Sequence, residues 1–139
     1  MCYAQGLSQL KITSEEKKYG LNYEEICKIW RGGCIIRAKL LEEFMFAFNK
    51  NPDLMNLIFD SEISQMIKEK DSSARKVSVY SINNKIPSLA LNSSISYFDA
   101  LTTEKLPMNL IQAQRDCFGE HTFERVDMDG TFHNENWQS

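Results

Sequence analysis

Two residues near the C-terminal end of the chain carry chemistry that the rest of it largely lacks. In "LIQAQRDCFGEHTFER", Arg115 stands six positions before His121, with Phe118 and Gly119 between them, and the 139-residue chain has only two histidines. An arginine fork and a donating or protonated imidazole together suit an anionic group. On an unbroken helix, six residues turn the two side chains about 120° apart and separate them by roughly 9 Å, so they diverge. A helix that ends near Gly119 instead lets the chain turn and bring His121 back beside Arg115. Both can then meet one anion. A helix C-terminus carries the wrong dipole for an anion, so the side chains must supply the positive charge. The plainer alternative is a surface arginine paired with Asp116 or Glu120 and an inert histidine at a helix end. Cys117 and His121 are four apart, as metal ligands can be, but no second pair stands near them and no metal is expected.

A second unusual stretch is "WRGGCIIR". Two adjacent glycines inside a helical pattern cost about 2 kcal/mol relative to alanines. Close approach of another helix or a ligand at Gly32 and Gly33 is the simplest compensation. A phosphate loop is disfavoured, because the GxGxxG spacing, a preceding strand and a suitably placed lysine are all missing. Arg31 and Arg37 are candidates for ion pairs with acids of neighbouring helices. The acidic pairs at 15–16, 24–25 and 42–43 fall on faces expected to be solvated, with no carboxylate pair set for acid–base work. There is no GxSxG motif and no familiar Cys–His arrangement, so no catalytic residue is assigned in this chain.

The elements that must position these residues read almost entirely as helix. From Asn22 to Phe48 the positions Ile26, Trp30, Gly33, Ile36 or Arg37, Leu40, Phe44 and Phe48 recur at threes and fours, which predicts one helix of about seven turns. Asn22 and Glu25 form a capping-box variant at its start. Asn51-Pro52 should start a short helix through "LMNLIF". Asp60 or Ser61 caps the next, with Ile63, Met66, Ile67, Ala74, Val77 and Tyr80 or Ser81 inward. "INNKIPSL" breaks it, an asparagine supplying the left-handed cap and Pro87 preventing continuation. A helix over 88–101 follows, then one opened by Pro107 in its first turn and ending at or near Gly119. Asp129-Gly130 lies between short alternating stretches, which suits a small hairpin. The expectation is therefore an all-α domain over 1–139 with a short irregular or hairpin tail from about 120 to 139.

Composition narrows the function classes. A net charge of −3 and a pI near 5.4 give no pull toward nucleic acid. No apolar run is long enough to span a bilayer, and the N-terminus does not read as a secretory signal. Cys2, Cys27, Cys34 and Cys117 include no CxxC pair, and a reducing compartment, the cytoplasm, is expected.

Several stretches together, in order and spacing, carry a resemblance. They are "IWRGGCIIRAKLLEEF", "FNKNPDLMNLIFD", "LPMNLIQAQRDCFGEHTFER" and "GTFHNENW", with "YAQGL" upstream. This set resembles the C-terminal domain of 6-phosphogluconate dehydrogenase over essentially the whole chain. The resemblance implies an all-helical domain of a homodimeric, NADP-dependent oxidative decarboxylase. That enzyme converts 6-phospho-D-gluconate to D-ribulose 5-phosphate and CO2. The resemblance further implies that Arg115 and His121 bind substrate, chiefly at its phosphate end, in the partner subunit. The NADP-binding domain, the catalytic lysine and the catalytic glutamic acid would lie upstream of the first residue. The chain alone is then expected to be inactive, a substrate-holding and dimerising part that pairs with itself or with a full-length subunit. A truncated paralogue serving only as an interaction module is the alternative. The motif's usual tyrosine is Cys117 here, its alanine is Glu120 and its next tyrosine is Phe123; Leu89 replaces a proline, and "FHNENW" is one residue longer than usual. Glu120 can either stabilise a protonated His121 or repel a phosphate.

Overall fold

The structure is a computed structural model that describes residues 1–33, 35 and 38–137. Its described residues form α1 (Cys2–Lys17), α2 (Tyr23–Gly33), α3 (Leu40–Lys50), a 3-10 turn (Leu57–Phe59), α4 (Ser61–Asn83), α5 (Leu89–Thr102), α6 (Asn109–Gly119), β1 (Phe123–Glu124) and β2 (Thr131–Phe132). They gather into two compact units, Met1–Asp99 and Ala100–Ser139. The all-α expectation holds, as does the hairpin: β1 and β2 are antiparallel, Phe123 opposite Phe132 and Glu124 opposite Thr131.

The first unit holds the apolar core. Ala4 and Leu7 on α1, Tyr23 and Cys27 on α2, and Leu41, Phe44, Ala47 and Phe48 on α3 are all buried, together with Leu54, Leu57, Ile58 and Ile63. The α1 stripe continues through Lys11 and Ser14, also buried. Lys11 lays its stem along the core and sends its ammonium to the Pro52 carbonyl at 3.2 Å, 5.6 Å from the centre of the Tyr23 ring. Ser14 accepts the Leu21 amide, which ties down the link from α1 to α2.

The single seven-turn helix does not form. α2 stops at Gly33 and α3 starts at Leu40. Among the described residues, a β-carbon added to Gly32 or Gly33 would meet no atom within 4 Å, so none of them approaches closely enough to compensate for two glycines. Without that compensation their helix penalty ends the element. Cys34, Ile36 and Arg37 lie outside the described residues. The broken helix folds into an antiparallel pair. Asn49 of α3 donates to Glu24 at the start of α2 at 3.0 Å, and Arg31 at the end of α2 donates to Glu42 at the start of α3 at 2.8 Å. The expected pairing of Arg31 with an acid is thus met. The cap is met as well, because Asn22 Oδ1 accepts the Glu25 amide at 3.1 Å.

"NPDLMNLIF" yields less helix than its pattern suggests. Asn51 Oδ1 accepts the Asp53 amide and Asn56 Oδ1 accepts the Ile58 amide, so both side chains satisfy local backbone in turns instead of opening a helix. One 3-10 turn results. Asp60 then caps α4 through the amides of Glu62 and Ile63, at 3.0 and 3.1 Å. On α4, Ile63 is buried and, of the alternatives Tyr80 and Ser81, Ser81 faces inward, whereas Val77, also expected inward, is exposed. The helix outruns the core that would cover Val77. At its end the left-handed residue is Lys85, with φ 56°, while Asn84 has φ −101°. Arg75 ties α4 to α5, its guanidinium bound by Asp71 on one side and by both oxygens of Asp99 on the other.

Candidate functional site

In the second unit α6 begins at Asn109, with Pro107 two residues ahead of it instead of inside its first turn. Asn109 and Leu110 are exposed, Gln112 and Ala113 half-buried and Asp116 fully buried, so the inward stripe of α6 runs 112–113–116. Arg115 projects from the exposed side and donates through Nη1 to its own helix neighbour, Gln112 Oε1, at 2.9 Å. The ion pair with Asp116 or Glu120 does not form among the described residues. The guanidinium is therefore held by a neutral amide, with no carboxylate paired to it among the described residues.

The helix end supplies the turn that the sequence suggested, though by different residues. Glu120, with φ 51°, is the left-handed residue, and its amide donates to the Asp116 carbonyl at 2.9 Å. Helices usually place glycine in that position. Here Gly119 is the last helical residue, and its missing side chain serves another purpose. A β-carbon at Gly119 would sit 2.7 Å from Nε2 and 2.9 Å from Cδ2 of His121. The imidazole rests on the glycine. The turn thus returns His121 to the end of α6, but against Gly119, with no hydrogen bond to Arg115 among the described residues.

Thr122 is also left-handed, with φ 59°. For a β-branched residue this conformation is a true outlier and costs on the order of 1–3 kcal/mol. The offset comes from Asp116. Its Oδ1 accepts the Thr122 amide at 3.0 Å and the His133 Nδ1–H at 2.8 Å. Its Oδ2 accepts the Asn134 amide and the Trp137 indole N–H, each at 3.0 Å. A carboxylate only accepts, which fixes the proton of this pair on His133 Nδ1. Burial pushes the Asp116 carboxyl up, but the hydrogen bonds from Asn134, His133, Trp137 and Thr122 outweigh it and hold it well below the usual carboxylate range. The hydrogen bond to Asp116 in turn raises His133, against some loss from burial.

Sequence reasoning treated Asp116 only as a possible partner of Arg115. The signal was present: an acidic residue on the inward stripe of α6, followed by a tail rich in donors.

Beside α6 lies a cleft of about 340 Å³, lined by Gln112, Phe123, Arg125, Asp127, Asn134 and Trp137 among others. Arg125 is taken by Asp127 and lies over the Phe132 ring, so Arg115 is the better placed cation for an outside anion. Asp116 has no lone-pair capacity exposed to act as a base. Burial pushes the Cys27 thiol up to about 11, which removes it as a nucleophile near neutrality. Among the described residues no group of His, Cys, Asp and Glu could hold a metal ion. Nor do the glycines suit a dinucleotide: Gly32 and Gly33 close α2 at its C-terminal, electronegative end, where a pyrophosphate is repelled.

Fold and site thus define a helical module that presents an exposed arginine and an exposed histidine at the clipped end of its last helix. The family model "6-phosphogluconate dehydrogenase, C-terminal domain" matches residues 1–137, and the chain belongs to that family. It is 47% identical over 133 residues to 6-phosphogluconate dehydrogenase, decarboxylating 1, of Oryza sativa subsp. japonica. It is 44% identical over 133 residues to the decarboxylating 6-phosphogluconate dehydrogenase of Escherichia coli K12. Each comparison covers 96% of this chain and 28% of the relative. Among solved structures, Plasmodium falciparum 6-phosphogluconate dehydrogenase, described in its apo form and in complexes with its cofactor NADP+ and its substrate 6-phosphogluconate, superposes with a TM-score of 0.89 at 46% identity. That match covers 96% of this chain and 28% of the other. The chain therefore spans little more than a quarter of the length of these relatives.

Proposed function

We propose that this chain is the substrate-holding and dimerising part of an NADP-dependent 6-phosphogluconate dehydrogenase. Such an enzyme oxidatively decarboxylates 6-phospho-D-gluconate to D-ribulose 5-phosphate and CO2. Arg115 and His121 hold the substrate's phosphate, delivered to the site of a partner subunit, either a second copy or a full-length chain. The observation that carries this reading is that the Arg115 guanidinium is exposed and, among the described residues, has a neutral amide alone as partner, at the same helix end where His121 is seated. A phosphate dianion suits both, the fork through paired N–H donors and the imidazole through a single one. NADP and the proton-transfer residues belong to parts of the enzyme outside these residues, and the chain alone performs no dehydrogenation. Association is supported by the exposed Val79, Tyr80 and Ile82 of α4 and, in the second unit, by Leu110 and Phe118. These apolar side chains serve equally a non-enzymatic interaction module, the competing reading. The cytoplasm is the proposed compartment, in keeping with the unpaired Cys2, Cys27 and Cys117.

The test joins this chain to the N-terminal part of the Escherichia coli relative and measures NADPH formation from 6-phosphogluconate. The joined enzyme should be active and the chain alone silent. NADPH formation by the chain alone, or an inactive but folded dimer after joining, sinks the reading.

A further inference from the structure

We propose that Asp116 is a positioning residue of this site, acting on His121 through Thr122, with Gly119 as the seat of the imidazole. The inference deepens the reading above and rests on it for what His121 then binds.

Three observations converge on it. The first is that the carboxylate is fully buried yet placed on a helix whose other inward residues are Gln112 and Ala113, so it is no part of an apolar core. Its four hydrogen bonds all come from the tail, from Thr122, His133, Asn134 and Trp137. The second is the pair of left-handed residues, Glu120 and Thr122, that flank His121. A chain free to choose would relax Thr122 to extended backbone, and the imidazole would swing away from α6. The Asp116–Thr122 hydrogen bond prevents that, and the Thr122 hydroxyl adds a bond to the His121 carbonyl at 2.7 Å. The third is Gly119, where any side chain would overlap the His121 ring. Backbone on both sides of His121 and the surface beneath it are thus all specified, although the ring itself is exposed. Exposed side chains held this way gain nothing in stability. What they gain is a fixed orientation before the ligand arrives, which spares the ordering cost on binding.

Nuclear magnetic resonance on the full chain separates the possibilities. In the wild type the His121 Hδ2 proton should show a strong nuclear Overhauser effect to Gly119 Hα, and Gly119 Hα should be ring-current shifted. Asp116→Asn should abolish both. The amide cannot accept all four bonds, whereas signals of residues 1–99 should stay in place. Gly119→Ala should abolish the contact while keeping the Trp137 indole signal at its hydrogen-bonded position, which shows a folded tail. Survival of the His121–Gly119 effect in Asp116→Asn overturns the proposal, as does its absence in a wild type with a folded tail. Titration with 6-phosphogluconate reads the underlying assignment separately. If the nuclear Overhauser effects behave as stated but the His121 Hε1 signal ignores 6-phosphogluconate in the joined enzyme, positioning stands and the phosphate-holding role falls.

Discussion

The two compact units of this chain are held together by opposite means. In Met1–Asp99, twelve buried apolar residues among those described, spread over four helices and the segment between α3 and α4, share the work. In Ala100–Ser139, one ionised side chain gathers the tail, through four hydrogen bonds on two oxygens. Apolar packing is distributed and indifferent to direction, so it tolerates loss in one place. A carboxylate with four donors is directional and has no substitute. The second arrangement suits a segment that must hold a side chain at a set angle, and the first suits a segment that must only stay folded.

The largest effect should come from attacking the distributed core at its most enclosed point. Leu41 is fully buried, and Leu41→Ala should destabilise the first unit by roughly 2–5 kcal/mol in urea denaturation. The His121–Gly119 contact should survive in any fraction still folded. Arg115→Ala comes next. In the joined enzyme it should raise KM for 6-phosphogluconate by about tenfold or more, the equivalent of about 1.4 kcal/mol, and leave KM for NADP unchanged. An unaltered KM for the sugar phosphate would return Arg115 to a surface role.

The same substitution at two glycines sharpens the comparison further. Gly32→Ala meets no described residue within 4 Å and should stabilise α2 by about 0.5–1 kcal/mol. Gly119→Ala should leave thermal stability nearly unchanged and weaken substrate binding. A destabilised Gly32→Ala would mean that a contact is made there after all.

The smallest effect is the pH response of the tail. Asp116 is held below its ordinary value, so its contribution is present above about pH 3.9 and drains as pH falls through the lowered value. His133 is raised, so its contribution is complete below about pH 6.5 and is lost as pH rises through the raised value. The Trp137 indole signal should therefore be sharpest in the weakly acidic range and broaden on either side. A flat profile from pH 4 to 9 would show that the His133 charge adds nothing to the clip.

Much of the scaffold is legible in the chain. Asn22 and Asp60 announce their helices because a short polar side chain at those positions satisfies amides that nothing else reaches. Asp129-Gly130 announces the hairpin because Gly130 takes φ 124°, which other residues avoid. The periodic pattern from Ile26 to Phe48 is real, since both helices bury faces on the same core, but periodicity cannot say whether two such faces belong to one helix or to a folded pair. Val77 shows a related limit: an apolar residue on the right face of α4 is buried only where something stands opposite it.

By itself the sequence determined the all-helical class, the caps at Asn22 and Asp60, the hairpin and the choice of Arg115 and His121 as the residues to watch. These follow from residue type and short-range spacing, which act within a turn or two of chain. Tertiary structure alone decided what those two residues are attached to. It left Arg115 with Gln112 instead of a carboxylate, used Gly119 as a seat instead of a cap, and turned Asp116 from a neighbour into the anchor of the tail. The last of these outcomes depends on groups up to 21 residues apart that arrive within about 3 Å of one another. Local spacing carries no such distance.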